Sequence, residues 1–231
     1  MSEAIPLWLK IVYTLFVCLL VPVYWRRYGP ANFLWFSDIA LLVTVPALWL
    51  ESSMLASMMA LAVLLPELAW NIDFFVRLFT GAPLIGLSSY MFDRSIPRSL
   101  RALSLFHVAL PALLLWMVHR LGYDEGALVA QTVLAMIVLP LSYRVSDHEK
   151  NINWVYGLGE KPQTRVPARW FLAFLMLMFP LAIYLPTHFI LDRLFSAAPA
   201  ASRPSGKSSD YVAKNYAPVV APASAVIKEL G

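Results

Sequence analysis

The chain has 231 residues, 60% of them hydrophobic and only 14% charged, against roughly 45–50% apolar and about 25% charged in soluble domains. That excess is more than one small core can bury, which excludes an ordinary soluble globular protein and leaves lipid as the solvent for most of the chain. The net charge of +4 is dispersed beside apolar runs, a pattern of membrane-flanking residues that does not suggest nucleic-acid binding.

Six apolar stretches are expected to span a bilayer, at 5–25, 31–50, 53–70, 102–119, 127–143 and 170–191. The first has no basic region before it and no small-residue cleavage site after it, so it is expected to be retained as a helix. A further stretch, 74–92, carries Arg77, Gly81, Pro83 and Gly86, which favours a re-entrant or interfacial piece over a clean span. The expected fold is an all-α polytopic transmembrane helical bundle over 1–195. Residues 196–231, rich in Ala, Pro and Ser, are expected to be a disordered tail.

With six spans, the first, third and fifth loops share one side and hold nearly all the loop arginines, whereas the second and fourth hold only Arg120. The positive-inside rule puts the odd loops in the cytoplasm of a multi-pass cell-membrane protein. No internal repeat is evident. The single cysteine, Cys18, excludes an internal disulfide and a Cys-rich metal site. The histidines lack helical ligand spacing, so no metal or other cofactor is expected.

Three ionisable residues lie inside these spans, where each is costly, by about 2.5–3.5 kcal/mol at a helix centre. Asp38 follows the start of the second span, Glu67 precedes the end of the third, and His107 follows the start of the fourth. All three therefore fall in one leaflet, roughly 6–11 Å deep, and at least two of them are expected to meet. The polar loop 146–163, "SDHEKNINWVYGLGEKPQ", joins the last two spans on that face and can lie over them as a lid, with Asn151, Asn153 and Trp154 as donors into the cavity. Ser37 lies near the depth of His107, and Thr44 two turns deeper on the same helix face.

Each of these residues also has a plain structural reading. Asp38 and Glu67 can be protonated or paired with Arg77 or Arg144 as glue between helices. His107 can be a hydrogen-bonded packing residue, and Ser37 and Thr44 can bond the carbonyl one turn earlier. His119 and His188, near the opposite face, read as interfacial.

Three segments, "NFLWFSDIALLVTVPALWL", "LSLFHVALPALLLWMVHRLGYD" and "NINWVYGLGEKP", resemble in type and order the YwaF-like integral membrane family, which is related to lipid hydrolases and acyltransferases of the androgen-dependent TFPI-regulating protein type. The resemblance implies a Thr or Cys nucleophile on an early span and a His on a later one. By position these are Ser37 or Thr44, and His107. This chain departs from the pattern in having no cysteine in that span and an insertion over 71–101.

Two functions follow from these readings. One is a membrane-embedded acyl hydrolase or acyltransferase acting on lipid esters, with Ser37 or Thr44 as nucleophile and His107 as base. Asp38 or Glu67 would orient the imidazolium, and loop amides or Asn153 would stabilise the oxyanion. The other is a non-catalytic scaffold or complex subunit that binds membrane lipid, or a protein partner through its cytoplasmic loops and the 71–101 insertion.

Overall fold

The structure, a computed structural model, describes residues 4–159 and 162–195. The expected tail lies outside the described residues, as does Lys161 of the polar loop. Every regular element described is helical. In chain order they are α1 (Leu7–Tyr28), α2 (Phe36–Trp49), α3 (Ser53–Thr80), α4 (Arg98–Leu103), α5 (Phe106–Leu121), α6 (Ala127–Val145), α7 (Ala168–Met178) and α8 (Leu185–Phe195). Short 3-10 turns at Pro30–Leu34, Ser89–Phe92 and Ile152–Trp154 punctuate the chain, and a π-helical turn, Phe179–Tyr184, joins α7 to α8.

Five helical segments are long and apolar enough to cross a membrane: Leu7–Tyr28, Ser53–Thr80, Arg98–Leu121, Ala127–Val145 and Ala168–Phe195. Their outward faces carry exposed Leu15, Leu19, Phe174, Leu177 and Leu181, a surface that water does not tolerate and lipid does. The protein is a helical membrane bundle. Pro22, Pro46, Pro66, Pro111 and Pro140 sit inside its helices, as neighbouring helices in a membrane permit.

The second expected span is shorter than the sequence suggests. α2 has 14 residues, about 21 Å at 1.5 Å per residue, against a hydrocarbon core of ~30 Å. It nevertheless returns the chain beside α1 in antiparallel fashion. Tyr13 donates to the Leu41 carbonyl at 2.9 Å, Trp49 Nε1 to Thr14 at 2.9 Å, and Lys10 pairs with Glu51 at 3.0 Å. The 3-10 turn before α2 supplies the rest of the return.

The stretch 74–92 also resolves into two parts. Its first residues extend α3 to Thr80, where Gly81, at φ 79°, ends the helix by donating its N–H to the Arg77 carbonyl. The chain then folds back on α3. Asp73 Oδ1 accepts from the backbone N–H groups of Leu84, Ile85 and Gly86, and its Oδ2 accepts from both the N–H and the hydroxyl of Ser88, all at 2.6–3.2 Å. One carboxylate thus organises the whole return.

Candidate functional site

One end of the bundle encloses a cavity of about 470 Å³, within the range of small-molecule sites. Asp38 from α2, Glu67 from α3 and His107 from α5 all line it, and so does Ser37. The insertion contributes Leu87, Tyr90 and Ile96, and the polar loop contributes Asn151, Asn153 and Trp154. The expected convergence of three helices under a loop on one face is what the fold delivers.

Glu67 and His107 form the core of the site. His107 Nδ1 lies 2.8 Å from Glu67 Oε1 and 2.9 Å from Oε2. With Glu67 as a carboxylate, which accepts and does not donate, Nδ1 donates in this contact and Nε2 is the nitrogen free to take a proton. The imidazole is also flanked by two rings, Trp70 at 4.8 Å and Phe106 at 4.1 Å, both near-parallel to it. One turn along α3, Asn71 donates to the carbonyls of Glu67 and His107, each at 2.8 Å, which pins α3 to α5 beside the pair. Three side chains, Glu67, Trp70 and Phe106, therefore hold the ring in position, and Asn71 ties the two helices together beside it.

Asp38 is 4% exposed. Its Oδ2 accepts from Asn32 Nδ2 at 3.1 Å, whereas its Oδ1 is buried without a hydrogen-bond partner among the described residues. Neither carboxylate pairs with Arg77 or Arg144, the ion-pair partners that the sequence left open. Arg77 lies over the Phe92 ring at 4.8 Å, and Glu67 is taken by His107.

The polar loop closes the cavity by committing its asparagines to structure. Asn153 Nδ2 donates to the Leu34 carbonyl at 2.7 Å and to Ser142 Oγ at 3.1 Å, and Oδ1 accepts from the N–H of Phe36 at 3.0 Å. It thereby satisfies one of the open N–H groups at the start of α2. Asn151 folds the loop on itself, donating to Gly157 and Gly159 and accepting from the N–H of Tyr156. Both adopt left-handed backbone, φ 44° and 52°, which asparagine accepts more readily than most residues. The expectation of Asn153 as an oxyanion donor is corrected here, because both its amide hydrogens are already used. Trp154 remains on the cavity wall.

Thr44 is fully buried, donates to the Ala40 carbonyl at 2.6 Å, and is not part of the cavity lining. The backbone-bonding reading fits it; Ser37 and Ser104 are the serines on the cavity lining, and Ser104 is bonded to the Tyr24 hydroxyl at 2.7 Å and to the Leu100 carbonyl at 3.2 Å. His188 meets the Tyr123 hydroxyl at 2.7 Å and His119 packs edge-on to Phe195, away from this site. Sequence reasoning missed Asn71, Asp73 and Asn32. Asn71 and Asn32 were legible only as polar residues beside span ends, and Asp73 only as a carboxylate ahead of the loop "GAPLIGLSS".

No family model, curated protein or solved structure matches the chain.

Proposed function

We propose that the protein is a membrane-embedded acyl hydrolase or acyltransferase that acts on lipid esters at the face the arginine distribution assigns to the cytoplasm. The observation that carries this reading is the Glu67–His107 pair on the wall of a cavity that also exposes Ser37. A base whose second nitrogen is held by a carboxylate is the arrangement that activates a hydroxyl nucleophile.

In the proposed reaction the Ser37 hydroxyl attacks the ester carbonyl while His107 Nε2 takes its proton. The carbon–oxygen bond to the leaving alcohol breaks, and the alcohol departs with the proton from His107. Water, for hydrolysis, or a second alcohol, for transfer, then repeats the sequence on the acyl-serine. Glu67 stabilises the imidazolium formed in each half. With Asn153 committed elsewhere, the second amide hydrogen of Asn32 is the side-chain donor for the oxyanion. The depth of the site suits a glycerolipid ester, which lies at the hydrocarbon boundary.

The test is acyl release from a fluorogenic glycerolipid ester by protein reconstituted in vesicles. Turnover that is lost in Ser37→Ala and His107→Ala and kept in Thr44→Val supports the reading. A well-folded protein without turnover removes it, in favour of a non-catalytic protein that binds lipid or a protein partner through the loops on this face.

A further inference from the structure

The chemistry of the cavity wall specifies more than an ester. Three features bear on what else it holds. The first is Asp38, 4% exposed and with Oδ1 unpartnered among the described residues. A buried carboxylate oxygen without a donor is costly, and a donor or cation supplied by a ligand removes that cost.

The second feature is the balance of charge. Asp38 and Glu67 face the cavity, and among the described residues His107 is the basic side chain that the helices bring to its wall. Lys150 also lines the cavity, but at the lid, where it pairs with Asp147 at 3.2 Å and donates to the Tyr28 carbonyl at 3.4 Å. Glu67 is matched to His107 and Lys150 to Asp147, whereas Asp38 has Asn32 as its one hydrogen-bond donor and no ion pair among the described residues. An anionic group placed against Asp38 would be repelled, whereas an ammonium group would complement it.

The third feature is the aromatic wall. Tyr28, Trp35 and Trp154 line the same cavity as Asp38, and so do Tyr24 and Tyr90. Aromatic faces attract organic cations, and the attraction strengthens when water is excluded. Trp70 also lines the cavity, but it is already stacked with His107 and Phe74 and is not counted in this set.

We infer that the cavity binds an organic ammonium group, with Asp38 as counter-ion and Tyr28, Trp35 and Trp154 as the surrounding wall. Both an ammonium-bearing lipid headgroup and a free ammonium compound have this chemistry. The inference deepens the proposed function and rests on the same cavity, but it does not depend on turnover.

The experiment is equilibrium binding to the full chain in neutral detergent, followed by tryptophan fluorescence. One arm compares choline with its neutral carbon isostere 3,3-dimethylbutan-1-ol. The other compares dihexanoylphosphatidylcholine with dihexanoylphosphatidylglycerol. The ammonium member of at least one pair should bind about tenfold or more tightly than its control, and the arm that shows it identifies a free or a lipid-borne cation. Asp38→Asn should remove that preference. Equal binding within both pairs, or no binding of either ammonium compound, overturns the inference, and this comparison on the wild-type chain decides even if the Asp38 variant does not fold. Ester turnover without ammonium preference would leave the hydrolase reading standing, and ammonium preference without turnover would leave this one.

Discussion

Both carboxylate oxygens of Glu67 lie within hydrogen-bond distance of a single atom, Nδ1 of His107, at 2.8 and 2.9 Å. The pair joins α3 to α5 at one end of the bundle, and with Glu67 as a carboxylate it leaves Nε2 free to take a proton. Glu67→Gln keeps an acceptor for Nδ1–H but removes the charge that stabilises an imidazolium. The variant should therefore stay within about 1 kcal/mol of wild-type stability while acyl release falls by roughly a hundredfold or more. Unfolding in detergent and the vesicle assay measure the two together; parallel small losses in both would mean that the charge has no part in the chemistry.

Asn153 satisfies three groups at once, the Leu34 carbonyl, the Phe36 N–H and the Ser142 hydroxyl. Asn153→Ala strands all three in a buried place. It should cost on the order of 3 kcal/mol, since each unmet group costs about 1–3, and should loosen the lid. Hydrogen exchange at Phe36 and across 151–157 reports this, and unchanged protection would show that the loop holds by other contacts.

The fold-back of the insertion depends on Asp73. Replacing it with Ala removes the acceptor for four backbone N–H groups and the Ser88 hydroxyl. Proteolytic nicking at 82–96 should then appear, with a loss of stability of at least about 2 kcal/mol. Because Leu87, Tyr90 and Ile96 line the cavity, ligand affinity should fall too. A protease-resistant Asp73→Ala protein with normal binding would mean that the insertion is held by its packing alone.

At the opposite end of the bundle, Glu51 accepts from Lys10 Nζ and from the backbone N–H groups of Ile5 and Ala4. Partial burial pushes its carboxyl pKa up, but these bonds together outweigh it and hold the group below its ordinary value of 4.5. A carboxyl depressed on folding contributes stability that is fully present above that ordinary value and is lost as pH falls through the lower folded value. Wild-type melting temperature should therefore drop more steeply below about pH 4.5 than that of Glu51→Gln, which should already be lower at neutral pH. Identical pH profiles would show that the clamp contributes nothing.

Hydropathy made the bundle legible, because lipid as solvent demands long apolar helices whatever their packing. Depth along the helices was legible as well, which is how Asp38, Glu67 and His107 could be placed at one level before any contact was known. Which partner each side chain takes was not. Ser37 and Thr44 share a helix face by spacing, yet Ser37 lines the cavity while Thr44 bonds Ala40. The asparagines were misread for a related reason. Polar residues in a loop look like ligand donors until the backbone groups they serve are known, and Asn153 serves positions 34 and 36, which are far from it in sequence. The same distance hid Asp73, whose partners lie across the return that it creates.

The most direct test of the central claim, that Ser37 and His107 act together on an acyl group, is covalent labelling of membranes with a lipid-chain fluorophosphonate, the modified residue being identified by mass spectrometry. The account predicts adduct on Ser37, with labelling lost in His107→Ala and retained in Thr44→Val. Labelling that leaves Ser37 unmodified, or labelling of Ser37 that is indifferent to His107, would contradict it.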